Sequence, residues 1–141
     1  MARNATDTAS REITRVGFLL VDEFGMLGFA SALDALRYAN GISNRPLYRW
    51  KIYSSGGAPV TSSAGVRIAV DSAIGDGEAT DLMLVVAGLD AERYRDDAMF
   101  ERLRRLARKG AVLGGVSLGP YLLARAGLLN GYRCTVHWEN L

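Results

Sequence analysis

One cysteine, Cys134, and one histidine, His137, are all that the 141 residues hold of those two types. A lone thiol excludes an internal disulfide, and one thiol with one imidazole cannot complete a zinc site, so no metal centre is expected and a reducing compartment fits. Charge of either sign is not in excess, with 17 Lys and Arg against 15 Asp and Glu. The basic residues from Arg102 to Lys109 are spaced around Leu103, Leu106 and Ala107 as on a wetted helix face. Neither feature points to nucleic-acid binding by this chain. Long apolar runs are missing too: none approaches the ~20 residues needed to span a bilayer, which excludes a membrane helix. Residues 1–12 lack the apolar segment of a secretory signal and read as a disordered leader, and a cytoplasmic setting is expected.

What remains is an ordinary globular composition, 49% hydrophobic and 23% charged. A chain of this size buries roughly 70% of the surface that its unfolded form exposes, so residues 13–141 are expected to form one domain around one core.

Ile13 to Val21 ends in a continuous apolar stretch, as in a central strand covered on both faces. Met26 to Ala39 follows with Ser31, Asp34 and Arg37 on one side and Phe29, Ala30, Leu33 and Leu36 on the other. That spacing predicts an amphipathic helix closed by Asn40-Gly41. Tyr48 to Tyr53 alternates as a strand with one wet face, and Val66 to Val70 as a shorter one. Between them Ser54 to Gly65 is a Gly- and Ser-rich loop. Leu82 to Ala87 is a second apolar strand. Ala98 to Lys109 carries acids ahead of it and bases at its end, matching the dipole of a helix. Ala111 to Val116 reads as a third buried strand, and Pro120 to Ala126 as a further helix. Apolar strands separated by helices imply βαβ units, hence a doubly wound, mainly parallel sheet with helices on both faces.

Ligands of such sheets bind at the carboxyl ends of the strands, which directs attention to Asp22 to Met26, Gly88 to Asp90 and Ser117 to Tyr121. Gly115-Val116-Ser117-Leu118-Gly119-Pro120 has the spacing of a nucleophile elbow, in which flanking glycines let a strand turn sharply into a helix and present one side chain at its start. Backbone N–H groups there are placed to receive an anion. Any Ser–His chemistry must use His137, yet no Asp or Glu lies between Ser117 and His137, and Glu139 is the only carboxylate after the elbow. A serine hydroxyl without an oriented base is a poor nucleophile at neutral pH. Two readings of Ser117 stay open: a pocket that binds without turnover, and a serine hydrolase or amidase acting through Ser117 and His137. An odd spacing separates Cys134 from His137, which would put them on opposite faces of an extended segment, and Cys134 is read as a small buried apolar residue.

Val16 to Val21, Phe29 to Asn40, Leu47 to Trp50, the elbow with Leu122 to Leu129, and Thr135 to Trp138 together resemble the amidase-like N-terminal domain of AraC-type transcriptional regulators. That domain belongs to the class I glutamine amidotransferase-like superfamily, with PfpI-type proteases and chaperones. The resemblance implies a flavodoxin-like fold, no cofactor, a small-molecule effector and a homodimer. It also implies DNA contact only through a helix-turn-helix domain that this chain does not carry, and further domain strands beyond the histidine block, so that the domain is incomplete at its C-terminus. In the enzymatic relatives a cysteine stands at the position of Ser117, the histidine matches His137, and a carboxylate from the first helix supports the thiol, where this chain has Gly28. Loss of nucleophile and acid implies sensing without catalysis. The subgroup most resembled includes regulators of carnitine, choline and glycine betaine catabolism. Phe24, Tyr121 and Trp138 are accordingly expected to converge around a quaternary ammonium group, with Ser117, Leu118, Gly119 and His137 completing the ligand site.

Overall fold

The computed structural model describes residues 13–75 and 79–138; the expected leader and Glu139 lie outside the described residues. The elements are β1 (Thr14–Leu20), α1 (Met26–Ser43), β2 (Tyr48–Ser54), β3 (Val60–Thr61), β4 (Arg67–Ile68), β5 (Ser72–Ala73), β6 (Leu82–Ala87), α2 (Asp97–Arg108), β7 (Val112–Ser117) and α3 (Gly119–Arg125). Five strands form one sheet in the order β5-β2-β1-β6-β7. Every pairing within it is parallel. A small antiparallel hairpin of β3 and β4 stands apart.

The two faces of the sheet follow from alternation along each strand. On one face Val16, Phe18 and Leu20 of β1 pack with Phe29 of α1 and Val86 of β6. On the other, Leu19 and Val21 join Met83, Val85 and Ala87, covered by Met99, Phe100 and Leu103 of α2 and Leu122 and Leu123 of α3. From Val16 onward β1 is buried because it lies between the two layers.

The helix ends have local causes. Asp96 caps α2, its carboxylate accepting the Met99 N–H at 2.8 Å, with Arg105 and Arg108 in the last turn, as the dipole favours. Helix α1 does not stop at Asn40-Gly41 but runs to Ser43 and ends on Asn44 in the left-handed conformation. The Asn40 side chain does other work: Oδ1 accepts the N–H groups of Leu47 and Tyr48 at 2.8 and 3.0 Å, and Nδ2 donates to the Tyr48 carbonyl at 2.9 Å. It ties the helix to the start of β2.

Two further expectations need correction. β7 is not buried on both faces: Val112 is 64% exposed, because among the described residues no strand lies beyond β7. Cys134 is exposed rather than packed in the core, as are most residues of the segment 130–138, which has no strand partner.

At the amino end of the sheet, the Arg15 N–H and guanidinium donate to Asp81 at 2.7 to 2.9 Å. These bonds hold the Asp81 carboxyl down at about 2, below its ordinary 3.8. Its pKa is depressed by folding, so the pair contributes stability above pH 4 and loses it as pH falls towards 2. Both side chains are nearly half exposed, and screening keeps the contribution below ~1 kcal/mol. Asp81→Asn should therefore flatten the acid limb of a stability-versus-pH curve slightly; an unchanged limb between pH 4 and 2 would refute the assignment.

Candidate functional site

The elbow forms where the sequence places it. Ser117 ends β7 opposite Ala87 of β6 and has a φ of 57°, unusual for a residue with a side chain. Both flanking glycines are required by close approach. A Cβ on Gly115 would stand 2.4 Å from the Pro120 nitrogen, and one on Gly119 would stand 1.9 Å from the Val85 carbonyl oxygen. The turn is thus pressed against β6, and the Ser117 side chain projects from it with an exposed surface.

A cavity of about 100 Å³ opens there, lined by Glu23, Gly25, Ser63, Gly88, Leu89, Ser117, Leu118 and His137. The other wall comes from the turn after β1, which is firmly held. Glu23 N–H donates to the Thr61 carbonyl at 2.9 Å and Phe24 N–H to the Val21 carbonyl at 3.1 Å. Asp22 accepts the Thr61 N–H at 3.0 Å, and Ser63 donates through its N–H and hydroxyl to the Phe24 carbonyl at 3.0 and 3.3 Å. Gly88 allows β6 to meet this turn, since a Cβ there would fall 1.7 Å from the Glu23 carbonyl oxygen.

Of the expected site residues, Ser117, Leu118 and His137 meet in this cavity. Gly119 is buried behind it and shapes the turn. The three aromatics do not converge. Phe24 has no exposed surface and stacks edge-on against Phe29 at 5.8 Å, because the bridge to Ser62 turns it inward. Tyr121, on α3, is partly buried against the core cluster that α2 and α3 cover. Trp138 is 72% exposed and lies 5.8 Å from the His137 ring.

The expected anion receptor is also reduced. Leu118 N–H is directed to the Ala87 carbonyl at 3.4 Å, Pro120 has no N–H, and Tyr121 N–H donates to the Leu118 carbonyl at 3.1 Å. Glu23, Ser63 and Ser117 also line the cavity, with the Ser63 hydroxyl donating to the Phe24 carbonyl.

Glu23 is the residue that sequence spacing missed. No carboxylate reaches the elbow from α1, where Gly28 abuts Val116 so closely that a Cβ would lie 2.8 Å from the valine methyl, and Asp34 is exposed and paired with Arg37 at 2.8 Å. A carboxylate-bearing residue of the turn after β1, Glu23, lines the cavity with Ser117 and His137. The Ser117 hydroxyl makes no hydrogen bond among the described residues. A larger cavity, about 430 Å³, lies at the opposite end of the sheet between Arg15, Arg49, Lys51 and Tyr53, away from the carboxyl ends where this architecture binds ligands.

Residues 14–140 match the family model of the DJ-1/PfpI family. The HTH-type transcriptional regulator GbdR of Pseudomonas aeruginosa is 42% identical over 132 residues, covering 94% of this chain and 36% of that protein. The HTH-type transcriptional regulator GlxA of Rhizobium meliloti is 39% identical over 137 residues, covering 96% and 42% respectively. The solved structure of an AraC family transcriptional regulator from Pseudomonas putida superimposes with a TM-score of 0.78 at 30% identity, over 90% of this chain and 68% of that one. The chain therefore spans 36 to 42% of the length of these two curated relatives.

Proposed function

This chain belongs to the DJ-1/PfpI family, and from that premise we propose that it is the effector-sensing part of an AraC-type transcriptional regulator, binding a small metabolite at the elbow cavity without turning it over. The carrying observation is the state of Ser117: its backbone is held in a strained turn of the kind that presents a nucleophile, while its hydroxyl engages no base. Strain kept at an exposed, cavity-lining side chain favours binding, and the missing Ser–His hydrogen bond disfavours attack. The relatives that are regulators supply the context. In the longer protein, DNA contact falls to a separate helix-turn-helix unit, the working form is a homodimer, and the setting is cytoplasmic. Among the described residues no helix is long and apolar enough to cross a membrane.

One observation favours the second reading, a serine hydrolase or amidase: Glu23, Ser117 and His137 line one cavity, which is the residue set of an acid, nucleophile and base. The two readings separate with a fluorophosphonate probe followed by intact-mass spectrometry. Sensing predicts no adduct at Ser117 beyond that of a denatured control. A stoichiometric adduct on the folded protein, abolished in Ser117→Ala, would replace sensing by catalysis.

A further inference from the structure

β1 and β2 run parallel with Arg15 opposite Arg49, Gly17 opposite Lys51 and Leu19 opposite Tyr53. Alternation puts all six on one face of the sheet, the face whose core cluster includes Leu19, Tyr53 and Met83. Two arginines thus stand directly across a strand pair, where like charges are unfavourable, and Lys51 follows two residues along. A strand with one wet face has no need of this arrangement; a threonine at position 49 would suit it as well, and an acid opposite Arg15 better. The cavity of about 430 Å³ at this end of the sheet is lined by all three cations, and none of its described lining residues is acidic. Asp81 holds Arg15 at 2.7 Å. Arg49 is exposed and makes no hydrogen bond or ion pair with a described residue. Further along the same face the space over Gly17 is filled by Met83 and Tyr53, which a Cβ there would meet at 2.6 and 3.1 Å, so the basic end is open and the next layer is closed.

We propose that this cavity is a second ligand site, which binds a multiply charged oxyanion: a phosphate or polycarboxylate group of a small metabolite. A shared counter-charge relieves the repulsion that the cross-strand arginines impose on each other. Guanidinium forks bind phosphate and carboxylate oxygens through pairs of parallel hydrogen bonds, and a lysine adds a compact point charge. The volume falls within the range of about 300 to 1,000 Å³ usual for small-molecule sites, so an organic portion fits beside the charged group. The elbow cavity lies at the carboxyl ends of the same strands and shares no lining residue with this one. The proposal therefore stands apart from the sensing reading of Ser117.

The test is thermal melting and calorimetric titration of the 141-residue protein with sodium pyrophosphate, citrate or chloride at one fixed ionic strength. Pyrophosphate, citrate or both should raise the melting temperature above that in chloride by about 5 °C or more near saturation. A response to pyrophosphate alone assigns the site to phosphates, and one to citrate alone to polycarboxylates. Such salts also stabilise folded proteins by exclusion from their surface, so two variants separate the effects. Arg49→Gln should weaken binding by at least about tenfold, the scale of a hydrogen bond to a charged group, and remove most of the shift. Arg93→Gln, at an exposed arginine in the turn after β6 at the other end of the sheet, should keep it. In chloride Arg49→Gln should melt no lower than the parent, because it removes a like charge opposite Arg15; a merely structural arginine would not behave so. The proposal is overturned if neither oxyanion shifts melting beyond chloride, if the shift survives undiminished in Arg49→Gln, or if Arg49→Gln melts lower in chloride. None of these results alters the fluorophosphonate outcome at Ser117, so the two readings fail separately.

Discussion

Gly119→Ala is expected to destabilise the protein by about 3 kcal/mol or more, lowering its melting temperature by roughly 10 °C. The added methyl would stand 1.9 Å from the Val85 carbonyl oxygen and 2.9 Å from its carbon. These are backbone atoms of β6, held by pairing with β1 and β7 on both sides, and cannot swing aside as a side chain would. Relief requires α3 or the elbow to move, and Leu122 and Leu123 leave the core with it. Gly41→Ala is the control: it lies inside α1 with nothing within 4 Å of the new methyl, and it should be neutral or stabilise by up to ~1 kcal/mol through helix propensity. Similar melting of the two variants would show that the elbow is not pressed against β6 as described.

Phe24→Ala is expected to cost about 3 to 5 kcal/mol, the range for emptying a buried aromatic site. The ring is fully enclosed, edge-on to Phe29, which in turn meets Phe18 at 5.5 Å, so its removal opens a hole among three aromatics that locate α1 on the sheet. Trp138→Ala, at a largely exposed ring, should change stability by no more than ~0.5 kcal/mol. Urea unfolding with both variants decides between a core and a ligand-facing Phe24. A Phe24→Ala protein as stable as its parent would return that residue to the pocket.

The elements that sequence patterns locate well are those whose cause is local. β1 and β6 are continuous apolar runs, α2 has its acids and bases at the proper ends, and the elbow is marked by glycines whose spacing answers to contacts at Gly115 and Gly119. What escapes is set by neighbours. β3 and β5 are two residues each and exist because a partner strand passes beside them. β7 has the same apolar composition as β6, but it terminates the sheet among the described residues, and nothing within Ala111 to Val116 states which strands flank it. Phe24 lies in the right place for a ligand contact, directly after β1, and is turned inward by a bridge to Ser62. Glu23, one residue earlier, was visible as part of the carboxyl-edge turn, but its selection depends on the conformation of one backbone angle and on Ser117 arriving from the far side of the chain.

The parallel order β2-β1-β6 carries a cost in time. β1 is the middle strand, yet its register with β6 pairs Val16 with Leu82, so one side of a largely apolar strand has no partner until most of these elements have been made. At about 5 to 20 residues per second on the ribosome, that wait is roughly 3 to 13 s. Only β2, reached through α1, is available to cover the strand earlier. Pairings this distant in sequence slow folding, because the loop between them must close before any contact rewards it. A nascent chain halted between β5 and β6 should therefore be held by chaperones or aggregate, and release from that state should coincide with emergence of Leu82 to Ala87.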